Sequence, residues 1–149
     1  PINYSPNHPT TIFLILRPMR YTKWIGLAAA LLLIVAAFLP WVTIEDRNLT
    51  ITGINTQGTN FGKPAYLHFI LTAFYIVCVL VQRIWAKRLN LALSAVNIAW
   101  AIRNFFIIPA CQGGDCPAKQ LGIYLMALAS LIMLIAALFP DMKIEEKKK

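Results

Sequence analysis

The sequence predicts an all-α membrane protein: a bundle of four transmembrane helices with a small extracytoplasmic β-hairpin-like loop. Three observations predict it. The 149 residues are 58% hydrophobic and only 13% charged, with a mean hydropathy of +0.62, whereas soluble domains carry about a quarter charged residues. Four continuous apolar runs each approach the ~20 residues that a helix needs to cross the hydrocarbon core. The basic residues gather in short clusters between those runs, as the flanks of membrane spans do.

A net charge of +8 would serve a nucleic-acid binder only if the cations lined one soluble face, and no DNA- or RNA-binding module is recognisable. The partners expected are therefore the lipid bilayer and other membrane proteins or further copies of the chain, with no nucleic acid. The length suits one domain.

Residues 1–23 form an expected cytoplasmic or interfacial arm. Pro1, Pro6, Pro9 and Pro18 interrupt it, and its apolar patch at 12–16 is too short to span. Met19 resembles a natural start, so 1–18 reads either as an interfacial arm or as an upstream extension. No small-residue cleavage site follows the first apolar run at the length a signal peptide requires.

The transmembrane domain is expected over 24–140, with spans at about 24–44, 65–82, 89–109 and 121–140, and a charged cytoplasmic tail over 141–149. The runs are continuous rather than alternating, which favours helices over barrel strands. Pro40, Pro64, Pro109 and Pro140 punctuate their ends, because proline lacks the amide donor a helix needs. Trp24, Trp41, Tyr66, Trp85 and Tyr124 fall near span ends, where an amphipathic ring suits the headgroup zone.

Orientation follows from the cations. Arg17, Arg20 and Lys23 precede the first span, Arg83, Lys87 and Arg88 link the second to the third, and Lys143, Lys147, Lys148 and Lys149 follow the fourth. The opposite side holds Arg47, Lys63 and Lys119. By the positive-inside rule both termini are cytoplasmic, in what reads as a bacterial inner membrane. The short basic link makes the second and third spans an antiparallel hairpin.

Two segments then face outward. In the first, Val42-Thr-Ile-Glu and Leu49-Thr-Ile-Thr are β-prone runs separated by the turn candidate Asp46-Arg47-Asn48. In the second, Cys111 and Cys116 bracket a glycine-rich turn on the oxidising side, which favours a disulfide. Their spacing is not the C-x-x-C of thiol oxidoreductases, although a redox-active pair stays open.

Arg103 is the one charge inside a span; such charges are costly and often functional. It lies near the outer end of its span, so it can snorkel outward or pair with a loop carboxylate. Asn97 and Asn104 are seven apart and share a helix face near Ser94. That face reads as a packing stripe whose amides bond across helices, or, with Arg103, as an intramembrane polar site.

No catalytic residue, cofactor or metal site is expected. His68 and His8 do not form the facing pair that haem ligation needs, zinc would find only Asp115 and a distant His68, and no phosphate loop or nucleophile elbow appears. The spans contain no Asp or Glu, which speaks against a proton-coupled carrier.

In topology the chain resembles the quinone-linked disulfide oxidases of the bacterial inner membrane. That resemblance implies a second relay pair of cysteines, yet the first outward loop has none and Cys78 stands alone. Phe38-Leu-Pro-Trp-Val, Thr52-Gly-Ile-Asn-Thr and Lys87-Arg-Leu-Asn90 are similar to segments of small uncharacterised four-helix bacterial membrane families, of the Bacteroidota and tryptophan-operon-associated type. Those families carry no catalytic residues to transfer. Claudin-like proteins are similar in outline, but their loop cysteine pair and Gly-Leu-Trp motif are missing here. The expected function is a non-enzymatic membrane subunit of an envelope complex, serving in assembly or as an accessory or scaffold. The alternatives are an oligomeric transporter or channel and a membrane thiol-disulfide oxidoreductase.

Overall fold

The computed structural model of the chain describes residues 21–45, 48–60, 62–111, 114 and 116–140; the expected arm up to residue 20 and the tail from 141 lie outside them. The described chain is mostly helical: four helices, α1 (Thr22–Phe38), α2 (Ala65–Leu80), α3 (Ile84–Ile107) and α4 (Leu121–Leu138). Three short strands, β1 (Pro40–Ile44), β2 (Leu49–Thr52) and β3 (Ala118–Lys119), complete it.

The expected helix boundaries need two corrections. The first apolar run is not helical to residue 44: α1 stops at Phe38, Leu39 turns extended at ψ 158°, and the chain continues as β1. The pyrrolidine ring of Pro40 disfavours the helical conformation for the residue before it, and the β-branched Val42, Thr43 and Ile44 then suit a strand. The third run starts earlier than 89. With α3 opening at Ile84, Lys87 and Arg88 ride on its first turns and the link shrinks to residues 81–83.

By length and composition, only α4 among the described helices is long and apolar enough to cross a membrane. The 17 and 16 residues of α1 and α2 reach about 25 Å at 1.5 Å per residue, against ~30 Å of hydrocarbon. At 24 residues α3 is the longest, but it carries Lys87, Arg88 and Arg103 along with its asparagines.

The helices form a closed ring in which α1 packs most extensively on α4, α4 on α3, α3 on α2, and α2 more lightly on α1. The α1–α4 seam is built from small residues: Gly26, Ala29, Ala30, Ala36 and Ala37 are buried on one side, Ala129, Ser130, Ala136 and Ala137 on the other. A Cβ on Gly26 would run into the Tyr75 hydroxyl and come within 3.2 Å of the Ala136 methyl. Close backbone approach of this kind requires small side chains.

Both inter-helix segments at one end of the bundle join a single sheet of order β2-β1-β3. The expected hairpin is present, antiparallel, with Val42 opposite Ile51, Thr43 opposite Thr50 and Ile44 opposite Leu49. Asp46 and Arg47 of its turn lie outside the described residues, while Asn48 takes the left-handed conformation at φ 49°, which asparagine tolerates better than most residues. The sequence did not announce the third strand. Two residues after the cysteine loop pair with β1, Val42 opposite Lys119 and Thr43 opposite Ala118, so the two outward segments make one cap.

The described bundle has an apolar core that includes Leu33, Trp41, Tyr75, Ile123, Met126 and Met133, and it also leaves many large hydrophobic side chains on its exterior. Alanines, glycine and polar groups also occupy the helix seams, whereas Leu31, Phe38, Phe74, Phe106, Leu128 and Ile135 are among about two dozen large hydrophobics on the exterior.

Candidate functional site

The buried face of α3 carries Ala86, Asn90, Ser94, Asn97, Ala101 and Asn104. These positions recur every three or four residues, which keeps them on one stripe of the helix. A stripe so rich in amides can be buried only if partners on other helices meet it, because an unpaired buried polar group costs about 1–3 kcal/mol.

For Asn97 the partners come from α2 and α4, while Ser94 Oγ donates to Leu91 O of its own helix. His68, in the first turn of α2, places Nδ1 2.6 Å from Asn97 Oδ1, and Asn97 Nδ2 donates to Ser130 Oγ on α4 at 3.4 Å and lies 3.8 Å from Met133 Sδ. One fully buried amide thus ties three helices together. These contacts also assign the imidazole. With the amide NH2 turned to the sulfur and hydroxyl, Oδ1 faces the ring, so Nδ1 carries the proton and Nε2 is a bare acceptor. Reversing the amide would set its oxygen against the Met133 sulfur, two acceptors together.

Trp41 covers this network. The side chain is fully buried, its Nε1 donates to Ala36 O at 2.8 Å, and its ring meets that of His68 edge-on at 6.4 Å. The expectation of an interfacial ring therefore fails for Trp41, which is folded inward by β1; Trp24, Tyr66, Trp85 and Tyr124 remain exposed. Room for the indole comes from two glycines. A Cβ on Gly53 or Gly122 would lie 2.6 or 2.8 Å from ring carbons of Trp41.

The cap is bonded to the helix ends around it. Gln120 N donates to Trp41 O at 2.8 Å and Gln120 Nε2 to Thr43 Oγ1 at 2.9 Å. Gly53 N donates to Ala37 O at 3.1 Å, Ala65 N to Gly53 O at 2.9 Å, and Trp100 Nε1 to Pro64 O at 3.0 Å. Cys111 and Cys116 form a disulfide with Cα atoms 4.2 Å apart, both exposed beside β3.

The structure does not assemble Asn97, Arg103 and Asn104 into one site. Asn97 and Asn104 are buried, but Arg103 is on the exterior with its guanidinium 4.7 Å from the Trp100 ring centroid. His68, which the sequence reading weighed only as a haem or zinc ligand, is instead the partner of Asn97. The available signal was spacing: His68, Thr72 and Tyr75 recur at helical intervals on one face of α2 and all are buried.

Among the described residues four buried atoms meet no hydrogen-bond partner: His68 Nε2, Thr72 Oγ1, Asn90 Oδ1 and Asn104 Nδ2. Near Asn90 a cavity of about 20 Å³, lined by Thr22, Lys23, Tyr75 and Lys87 among others, has room for one water and not for an organic ligand. Among the described residues no three His, Cys, Asp or Glu side chains come together. What the contacts among the described residues show is a polar network that links α2, α3 and α4 through Asn97. No family model, curated protein or solved structure matches the chain.

Proposed function

We propose that the chain is a four-span protein of a bacterial inner membrane, with both termini inward, acting as a non-enzymatic subunit that presents its sheet-and-disulfide cap to a partner. The observation that carries the membrane part is the number of large hydrophobic side chains left on the exterior. Leaving about two dozen large hydrophobics half-exposed to water would forfeit on the order of 1 kcal/mol each, which exceeds the 5–15 kcal/mol net stability of an ordinary domain. Against lipid tails that loss vanishes. The shortness of α1 and α2 is tolerable, since bilayers thin locally at a modest cost per ångström.

The small buried residues of α1 and α4 are spent within the chain, on the seam between those two helices. Recognition therefore falls to the cap, where Thr50, Asn55, Gln57 and Asn60 are exposed. These groups, beside the exposed charges of Glu45, Lys63 and Lys119, suit a polypeptide partner bound by hydrogen bonds and ion pairs.

Membrane fractionation with alkaline extraction tests the first claim: retention in the bilayer is expected, and release into the soluble fraction would remove it. For the second, native purification with cross-linkers placed at Asn55 or Gln57 should recover a partner in stoichiometric amount. A lone monomer that cross-links to nothing would end the subunit reading.

A further inference from the structure

We infer that Arg103 and Trp100 form a binding site for the phosphodiester headgroup of a phospholipid in the outward leaflet. This rests on the membrane reading above and adds a ligand to it.

The indole of Trp100 is held by its bond to Pro64 O, so it is a fixed platform at the outward end of the α2–α3 groove. The Arg103 guanidinium lies over that platform at 4.7 Å. A cation held over a ring face spends no directed hydrogen bond on it, so the N–H donors of the guanidinium fork stay available to an acceptor. No acceptor meets them among the described residues, where Glu45 is the lone carboxylate. Around the cation the exterior is apolar, with Val96, Ile102 and Phe106 exposed on the same helix.

Arg103 stands four residues before the end of α3, about 6 Å along the axis. That depth is within reach of the headgroup layer for a long side chain. A guanidinium at such a place needs an anionic acceptor with two oxygens in its plane, and a phosphodiester supplies them in the bidentate geometry that arginine prefers. Lys63 over Tyr66 at 5.4 Å and Lys119 over Phe105 at 4.2 Å mark the same end of the bundle, so the cation–aromatic pairs there define one level. Of the three, Arg103 alone lies within a helix and alone offers a fork of donors.

The test is native mass spectrometry of the full chain, delipidated in detergent and titrated with phosphatidylglycerol or with a phosphate-free diglucosyl diacylglycerol of equal chain length. We expect phosphatidylglycerol to bind at least tenfold more tightly than the glycolipid. Arg103→Ala should abolish that preference and Arg103→Lys should keep a part of it. Millimolar inorganic phosphate should not displace the lipid; displacement would assign the site to free phosphate and overturn the lipid assignment. Equal retention by Arg103→Ala would also overturn it, as it would if Arg103 pairs instead with Asp46 or Asp115, which lie outside the described residues. The competition between the two lipids on the unaltered chain decides the matter should the variants fail to fold. A chain released by alkaline extraction would defeat the membrane reading; a chain retained without headgroup preference would defeat only this site.

Discussion

Two seams of the same bundle hold helices together in opposite ways. Between α1 and α4, Ala29, Ala30 and Leu33 cluster with Ala129, Met133 and Ala137, and adhesion comes from apolar packing that the small residues bring close. Between α2 and α3, His68, Ser94 and Asn97 are fully buried, and one amide reaches both neighbouring helices. Dispersion is sensitive to volume and indifferent to direction, whereas hydrogen bonds are directional. The first seam sets how near the helices come; the second sets their rotation and vertical register. On the membrane reading proposed above, neither task can be left to the hydrophobic effect, because lipid tails are as apolar as leucine.

The comparison can be broken most sharply at the outer end of the alanine seam. A Cβ at Gly122 would meet Trp41 Cδ1 at 2.8 Å, Leu39 Cβ at 3.0 Å and the carbonyl of Pro40. Gly122→Val should therefore cost about 3 kcal/mol or more, at the top of the range for overpacking, because a carbonyl cannot swing aside. Thermal unfolding in detergent reads this directly, and an unchanged midpoint would mean the cap does not seat on α4 as described.

The polar seam should respond next. Asn97→Leu removes the acceptor of His68 Nδ1–H and the donor to Ser130, so about 2–3 kcal/mol should be lost. His68→Leu made in addition should recover part of it, since the orphaned donor goes with the imidazole; purely additive losses would show that the two side chains do not interact. Nitrogen NMR of the ring sharpens the same point, with the proton expected on Nδ1. A proton on Nε2 would require the Asn97 amide to be reversed.

A smaller effect is expected from the cap. Cys111→Ser opens a ring closed over a sequence separation of 5, for which chain entropy gives roughly 2 kcal/mol as an upper figure. Hydrogen exchange should rise at β3 and β1 while the helix seams keep their protection. Loss of protection throughout the bundle would instead make the disulfide a global staple.

The smallest effect belongs to the exterior. If the proposed membrane reading holds, Leu128→Ala and Phe74→Ala should each change stability in a bilayer by no more than about 0.5 kcal/mol, in the range of ordinary surface substitutions, with lipid taking the place of the lost contacts. A loss above about 2 kcal/mol would reveal a face covered by another protein chain, and would locate the partner there rather than on the cap.

Much of this architecture is carried by local chemistry. Continuous apolar runs closed by prolines specify four helices, the β-branched residues on either side of Asn48 specify a hairpin, and Cys111 and Cys116 are near enough in sequence to find each other. Even the buried stripe of α3 was legible, because the spacing of Ser94, Asn97 and Asn104 is a property of one helix. What the chain could not disclose one segment at a time is who answers that stripe. His68 becomes a partner only when α2 is laid antiparallel on α3, and Trp41 turns from an interfacial ring into a buried roof only when Gly53 and Gly122 clear a space for it. Arg103 shows the same divide. The sequence by itself determined that a cation would sit within the third helix; only the tertiary structure decided that it faces away from Asn97 and Asn104 and rests on Trp100. The physical reason is that periodicity tells which residues share a face, while the choice of what that face touches depends on how every helix packs around it.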